Sequence, residues 1–96
     1  MSTIDGGEVV VRAMQAQGIE MMFTISDIAQ SPMLRSAEAA GMRLVAPRHE
    51  SAGVHMADGW ARASGGLAAA AGAAGPGVAN MVPGLVCASV EGVPLL

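Results

Sequence analysis

Met42-Arg43-Leu44-Val45-Ala46-Pro47-Arg48-His49-Glu50-Ser51-Ala52-Gly53-Val54 contains a change of period that decides the fold. Met42 to Ala46 is a short apolar-rich run, which predicts a strand, and Pro47 stops it because proline has no N–H to offer a ladder. From Glu50 onward Val54, Ala57 and Ala61 recur at helical spacing, and the Gly65-Gly66 pair predicts the end of that helix.

The same alternation extends in both directions. Upstream, Asp5 and Glu8 resemble a capping pair ahead of a helix with an apolar face of Val9, Val10, Ala13 and Met14, ending at Gly18. Met21 to Ile25 predicts a buried strand. Ser26 and Asp27 supply turn chemistry, and Pro32 suits the first turn of a second helix that carries Met33, Leu34 and Ala37 and closes at Gly41. Downstream, Leu67 to Gly72 predicts a third strand. Gly75-Pro76-Gly77 then turns into a fourth helix that offers Met81, Leu85 and Val86 to the core, and Val93 to Leu96 opens a fourth strand. Cys87, Met56 and Met81 read as ordinary core, and Trp60 as a helix residue packed on the sheet. Strands that alternate with helices predict an α/β architecture: a three-layer parallel sheet with helices on both faces, incomplete at its C-terminal end.

Composition narrows the function. The chain has 96 residues, 52% of them hydrophobic, enough for one core but apolar for its size, which suggests packing against more protein. Eight acids against five basic residues, all arginine, give a net charge of −3, and Phe23 and Trp60 are the only aromatics, so neither nucleic acid nor an anionic membrane is an expected partner. The run from Ala63 to Val90 carries no charge, yet its glycine and alanine content and its prolines predict a buried strand, turn and helix rather than a membrane span. A single cysteine and an N-terminus without a basic and apolar leader favour a cytoplasmic setting.

In a parallel sheet the strand-to-helix loops open on one edge, where ligands of such sheets bind. Three loops converge there: Ile25-Ser26-Asp27, Pro47-Arg48-His49-Glu50 and Ala73-Ala74-Gly75-Pro76-Gly77. Only the second offers acid and base side chains. By position alone Glu50 is either a solvated first-turn acid, stabilised by the helix dipole, or a ligand-facing carboxylate with room left by Ser51, Ala52 and Gly53. Arg48 and His49 are open to pairing with Glu50, contacting a ligand or facing water. His49 and His55 are not at helical metal spacing, so no metal site is expected. Gly72 to Gly77 lacks the lysine and the register of a phosphate loop, and close backbone approach to a ligand is the better reading; a nucleotide-binding module remains a minor alternative. Asn80 falls about one turn into the fourth helix and on the same edge.

Taken together, Pro47-Arg48-His49-Glu50, the segment Met56-Ala57-Asp58-Gly59-Trp60-Ala61-Arg62-Ala63-Ser64-Gly65 and Gly75-Pro76-Gly77-Val78-Ala79-Asn80 resemble the pyrimidine domain of thiamine-diphosphate enzymes of the acetolactate-synthase-like kind. The resemblance runs from about Asp5 to Leu96. It implies that residues 1–96 are the first half of an N-terminal pyrimidine-binding domain, with the remainder and the diphosphate domain lying outside them. It also implies thiamine diphosphate as cofactor, with Mg2+ bound by the absent domain.

In that family the glutamate at the position of Glu50 hydrogen-bonds the aminopyrimidine ring and promotes its imino tautomer, which deprotonates the thiazolium carbon for attack on a carbonyl. The resemblance therefore makes Glu50 catalytic and implies that Ile25, Ser26, Pro76 and Asn80 also contact the cofactor. A shared or donated proton at Glu50 is favoured by burial, which raises a carboxyl pKa, and opposed by the helix terminus; burial under the cofactor is expected to prevail.

The implied chemistry is that of a lyase or carboligase acting on a 2-oxo acid or a 2-hydroxyacyl (acyl-CoA-type) substrate, in a homodimer or homotetramer with its site between chains. Phe23-Thr24-Ile25-Ser26-Asp27 stands where relatives read phenylalanine-glycine-(apolar)-proline-glycine, and both Thr24 and Ala74 are similar to the 2-hydroxyacyl-CoA lyase branch. Ser51, Ala73 and Ala74 also differ from true acetolactate synthases. The alternative reading is a non-catalytic packing fragment or subunit of such a protein.

Overall fold

The computed structural model describes residues 3–96. Met1 and Ser2, on which the expectation of no leader partly rests, lie outside the described residues. Helix α1 (Gly6–Ala16) begins where Asp5, in extended backbone, accepts a hydrogen bond from the Glu8 N–H at 2.8 Å. Strand β1 (Met21–Thr24) follows, then a 3-10 turn at Ile28–Gln30 and helix α2 (Ser31–Ala39) with proline in its first turn. Strand β2 (Arg43–Val45), helix α3 (Glu50–Ser64), strand β3 (Ala69–Ala71) and helix α4 (Pro76–Glu91) complete the order. The expected helices and the first three strands are present, the strands one to three residues shorter than their apolar runs; of the strand expected to open at Val93 to Leu96 only a bridge at Leu95 forms, and the 3-10 turn had no signal in the sequence.

The sheet is parallel with strand order β2-β1-β3, pairing Met22 with Leu44 on one side and with Ala69 on the other. A parallel bridge between Ala68 and Leu95 begins a fourth position beside β3. Pleating sends alternate side chains of β1 to opposite faces. Met22 joins Val11, Met14, Ile19, Ala37, Met42 and Ala69 beneath α1 and α2, whereas Met21 and Phe23 join Ala57 and Ala68 beneath α3, with Trp60 packed at the margin. Helices therefore cover both faces. The chain leaves β1 by α2 on one face and β3 by α4 on the other, so the crevice between the ends of β1 and β3 is the switch point of the sheet.

The faces that helices bury differ in part from those expected. On α1 the buried residues are Val11 and Met14, while Val9 and Val10 are exposed. On α4 they are Gly77, Met81, Gly84 and Ala88; Leu85 and Val86 face outward, and Cys87 and, on α3, Met56 are exposed rather than core. The reason is close packing: α4 lies so near α3 that a Cβ on Gly84 would sit 2.7 Å from Val54 Cβ, so glycine and alanine take most of the contact stripe, with Met81 the large side chain among them, while Leu85 and Val86 point away. Val82, Leu85, Val86 and Val90 consequently form an exposed apolar face. Arg62 pairs with the buried Asp58 at 2.5 Å and reaches Glu91 of α4 at 3.8 Å. Among the described residues no helix is long and apolar enough to cross a membrane.

Candidate cofactor site

Glu50 is the first residue of α3, and the turn that delivers it is built locally. His49 is extended (φ −151°, ψ 144°), and its Nδ1 accepts a hydrogen bond from the Ser51 N–H at 3.1 Å. That bond makes His49 the helix cap, with Nδ1 as the acceptor. The sequence left His49 open to pairing with Glu50, a ligand or water; the structure leaves it exposed and adds a capping role that the sequence did not suggest.

The third loop is shaped by glycine. Gly75 adopts φ 75° with ψ −112°, a backbone region that only glycine enters readily, and this turn starts α4 at Pro76. Gly77 is buried: a Cβ there would lie 2.9 Å from Ala73 Cβ and 3.3 Å from Glu50 Oε1. The bare backbone of α4 is thus packed directly beside the carboxylate. One turn later Asn80 donates from Nδ2 to Glu50 Oε2 at 3.1 Å. Glu50 and Asn80, two candidates from different loops, are brought together as a pair, with Pro76 at the head of the same helix.

The loop after β1 lies on the same edge, with Ile25 half-buried and Ser26 exposed. No hydrogen bond among the described residues joins either of them to Glu50. The phosphate-loop alternative fares poorly at the start of α4, because Pro76 has no N–H and the Val78 N–H is already engaged by the Ala73 carbonyl at 3.0 Å.

Glu50 is held below the usual carboxylate range, first by a hydrogen bond from its own backbone N–H, then by Asn80 and by the proximity of His49, with partial burial opposing them. The expectation of a raised pKa concerned burial under the cofactor, a cover that these residues do not themselves supply. In these residues the carboxylate is only half-buried, and the donors at the helix start outweigh desolvation.

A cavity of about 400 Å³ lies at the opposite end of the sheet between Gln15, Glu20, Gly41 and Arg43, away from Glu50. The candidate site is an open edge on this part of the protein. Among the described residues no group of three or more His, Cys, Asp or Glu is placed to hold a metal ion.

The residues at the edge suit an aminopyrimidine: a carboxylate oriented by an amide, beside backbone stripped of side chains at Gly77, is a donor-acceptor edge that a flat heterocycle can approach. Sequence reasoning missed Gln30. Its Nε2 donates to the Gly72 carbonyl at 2.7 Å, and its Oε1 accepts from the Thr24 hydroxyl at 3.0 Å. A lone glutamine before Ser31-Pro32 gives no periodic or motif signal.

Comparison with known proteins agrees with this geometry. The family model described as thiamine pyrophosphate enzyme, N-terminal TPP binding domain, matches residues 4–96. The chain is 40% identical over 91 residues to 2-hydroxyacyl-CoA lyase 2 of Danio rerio, covering 95% of this chain and 15% of that protein. It is 36% identical over 92 residues to the chloroplastic acetolactate synthase of Arabidopsis thaliana, covering 95% of this chain and 14% of the relative. A probable acetolactate synthase large subunit of Methanococcus aeolicus is 32% identical over 93 residues, covering 97% and 16%. The chain thus spans about one-seventh of the length of these relatives. With its parallel sheet, its helix-capped glutamate and a family match over nearly all its length, the chain belongs to the thiamine pyrophosphate enzymes, within their N-terminal TPP-binding domain.

Proposed function

We propose that this chain supplies the pyrimidine half of a thiamine-diphosphate site in a lyase or carboligase, and that Glu50 is its catalytic carboxylate. The observation that carries the reading is the Asn80–Glu50 hydrogen bond at the open edge of the sheet. It leaves one carboxylate oxygen paired and the other, Oε1, beside the side-chain-free backbone of Gly77.

When bound, the cofactor would supply a thiazolium carbon that, once deprotonated, adds to a carbonyl, takes up the electron pair of the C–C bond that breaks and gives it back to a proton or to a new C–C bond. The chain's own residues do the rest. Glu50 holds or passes a proton at the pyrimidine ring, and a carboxylate held low before binding must gain affinity for a proton as the ring excludes water from it. Asn80 orients that carboxylate. His49 keeps the first turn of α3 in place. Ile25, Ser26 and Pro76 would border the ring from the neighbouring loops. Mg2+ would be held with the diphosphate by residues other than these.

The substrate is a 2-oxo acid or a 2-hydroxyacyl thioester. Relatives named as 2-hydroxyacyl-CoA lyase and acetolactate synthase support this reading, and the small side chains of Ser51, Ala73 and Ala74 near Glu50 leave space for an acyl group. We place residues 1–96 as the first half of the pyrimidine domain in a cytoplasmic homodimer or homotetramer. The exposed apolar face of α4 supports the view that further protein covers this domain.

The test is made on the complete protein. Calorimetry should detect thiamine diphosphate binding, and Glu50→Gln should slow exchange of the thiazolium C2 proton by about 10²-fold or more. Exchange at the wild-type rate in that variant would remove Glu50 from its role.

A further inference from the structure

Gln30 joins the two strands that flank the switch point. Its amide orientation is settled by chemistry, because the Gly72 carbonyl only accepts and must face Nε2, at 2.7 Å. Oε1 then faces the Thr24 hydroxyl, which donates at 3.0 Å. Thr24 is the buried last residue of β1, and Gly72 directly follows β3. One half-buried side chain thus clasps the ends of both strands across the crevice.

The clasp is continuous with the site. A Cβ on Gly72 would meet Met81 Sδ at 2.5 Å and the Gly77 carbonyl oxygen at 2.9 Å, so Gly72 rests directly on the start of α4. Gly77 in turn adjoins Glu50 Oε1. On the other side, Gln30 ends the 3-10 turn that follows Ile25 and Ser26. Motion of the first loop relative to the Glu50–Asn80 pair therefore requires breaking the Gln30 bonds or dragging Gly72.

We propose that Gln30 is a positioning residue that locks the first loop to the third before the cofactor arrives, so that Ile25 and Ser26 meet the ring in a preset geometry. The proposal rests on the functional reading above, but the clasp itself does not. Preset loops spare the cofactor the cost of ordering them, so loss of the clasp appears as weaker binding.

The experiment uses the complete protein without cofactor, then with thiamine diphosphate and Mg2+. Gln30→Met keeps the length but removes both bonds. Gln30→Glu keeps the acceptor for Thr24 and loses the donor to Gly72. In both variants, amide hydrogen exchange over residues 25–30 should rise in the cofactor-free protein. The Kd for thiamine diphosphate by calorimetry should weaken by about tenfold, while exchange in β1 and α3 stays at the wild-type level. Unchanged exchange over residues 25–30 in a variant that remains folded would overturn the clasp. Faster exchange with an unchanged Kd would overturn its role in positioning. Failure of the wild type to bind thiamine diphosphate at all would overturn the functional reading instead, and is seen before any variant is made.

Discussion

Asn80 and Glu50 lie thirty residues apart in sequence and 3.1 Å apart in space, so an amide from α4 sets the orientation of a carboxylate at the first residue of α3. The pair spans the α3–α4 contact and ties the electrostatics of the site to the packing of those two helices.

Removing the amide should release the carboxyl. In Asn80→Ala the Glu50 pKa is expected to rise toward its ordinary value, because a donor to the charged form is lost. Asn80→Asp should raise it further, since two carboxylates would then compete for one position. Infrared difference titration against Glu50→Gln would follow the carboxylate band, and an unchanged midpoint in Asn80→Ala would refute the coupling.

The lowered pKa also sets a pH dependence. A carboxyl with a folded-state pKa below its unfolded value, about 4.3, contributes stability that is complete above that value. The contribution is lost as pH falls through the lower folded-state pKa. Chemical denaturation of the wild type and Glu50→Gln should therefore diverge above about pH 5 and converge in acid. A constant difference between them would contradict the direction of the shift.

Close contact between α3 and α4 should make Gly84 intolerant of any side chain. A Cβ there would stand 2.7 Å from Val54 Cβ and 3.2 Å from the Ser51 carbonyl oxygen, and neither the packed valine nor the backbone can yield cheaply. Gly84→Ala is expected to cost about 1–3 kcal/mol in denaturant unfolding. Because Ser51 adjoins Glu50, cofactor affinity should fall with it.

The outward face of α4 should matter for association. Val86 is 55% exposed and Val90 81%, beside Val82 and Leu85. If further protein covers this face, Val86→Asp in the complete protein will reduce the sedimentation coefficient or the stability of the assembly. A solvent-facing valine would tolerate the change within about 0.5 kcal/mol.

Much of this protein is written locally. The change of period around Pro47, the glycines at 18, 41 and 65, and the Asp5 cap determine where helices and strands begin and end, because each acts through backbone sterics or hydrogen bonds within a turn or two. From that order the parallel sheet and the position of Glu50 at a strand-to-helix junction both follow.

The tertiary structure alone decided three things. It buried Gly84 and Ala88 of α4 instead of Leu85 and Val86, since a neighbouring helix at close range selects small side chains over apolar ones. It made Glu50 a stabilised anion, since that depends on an amide thirty positions away and on how little of the carboxylate is covered. It also gave Gln30 a partner forty-two residues distant, a bond that no local pattern encodes because its geometry exists only once β1 and β3 lie side by side.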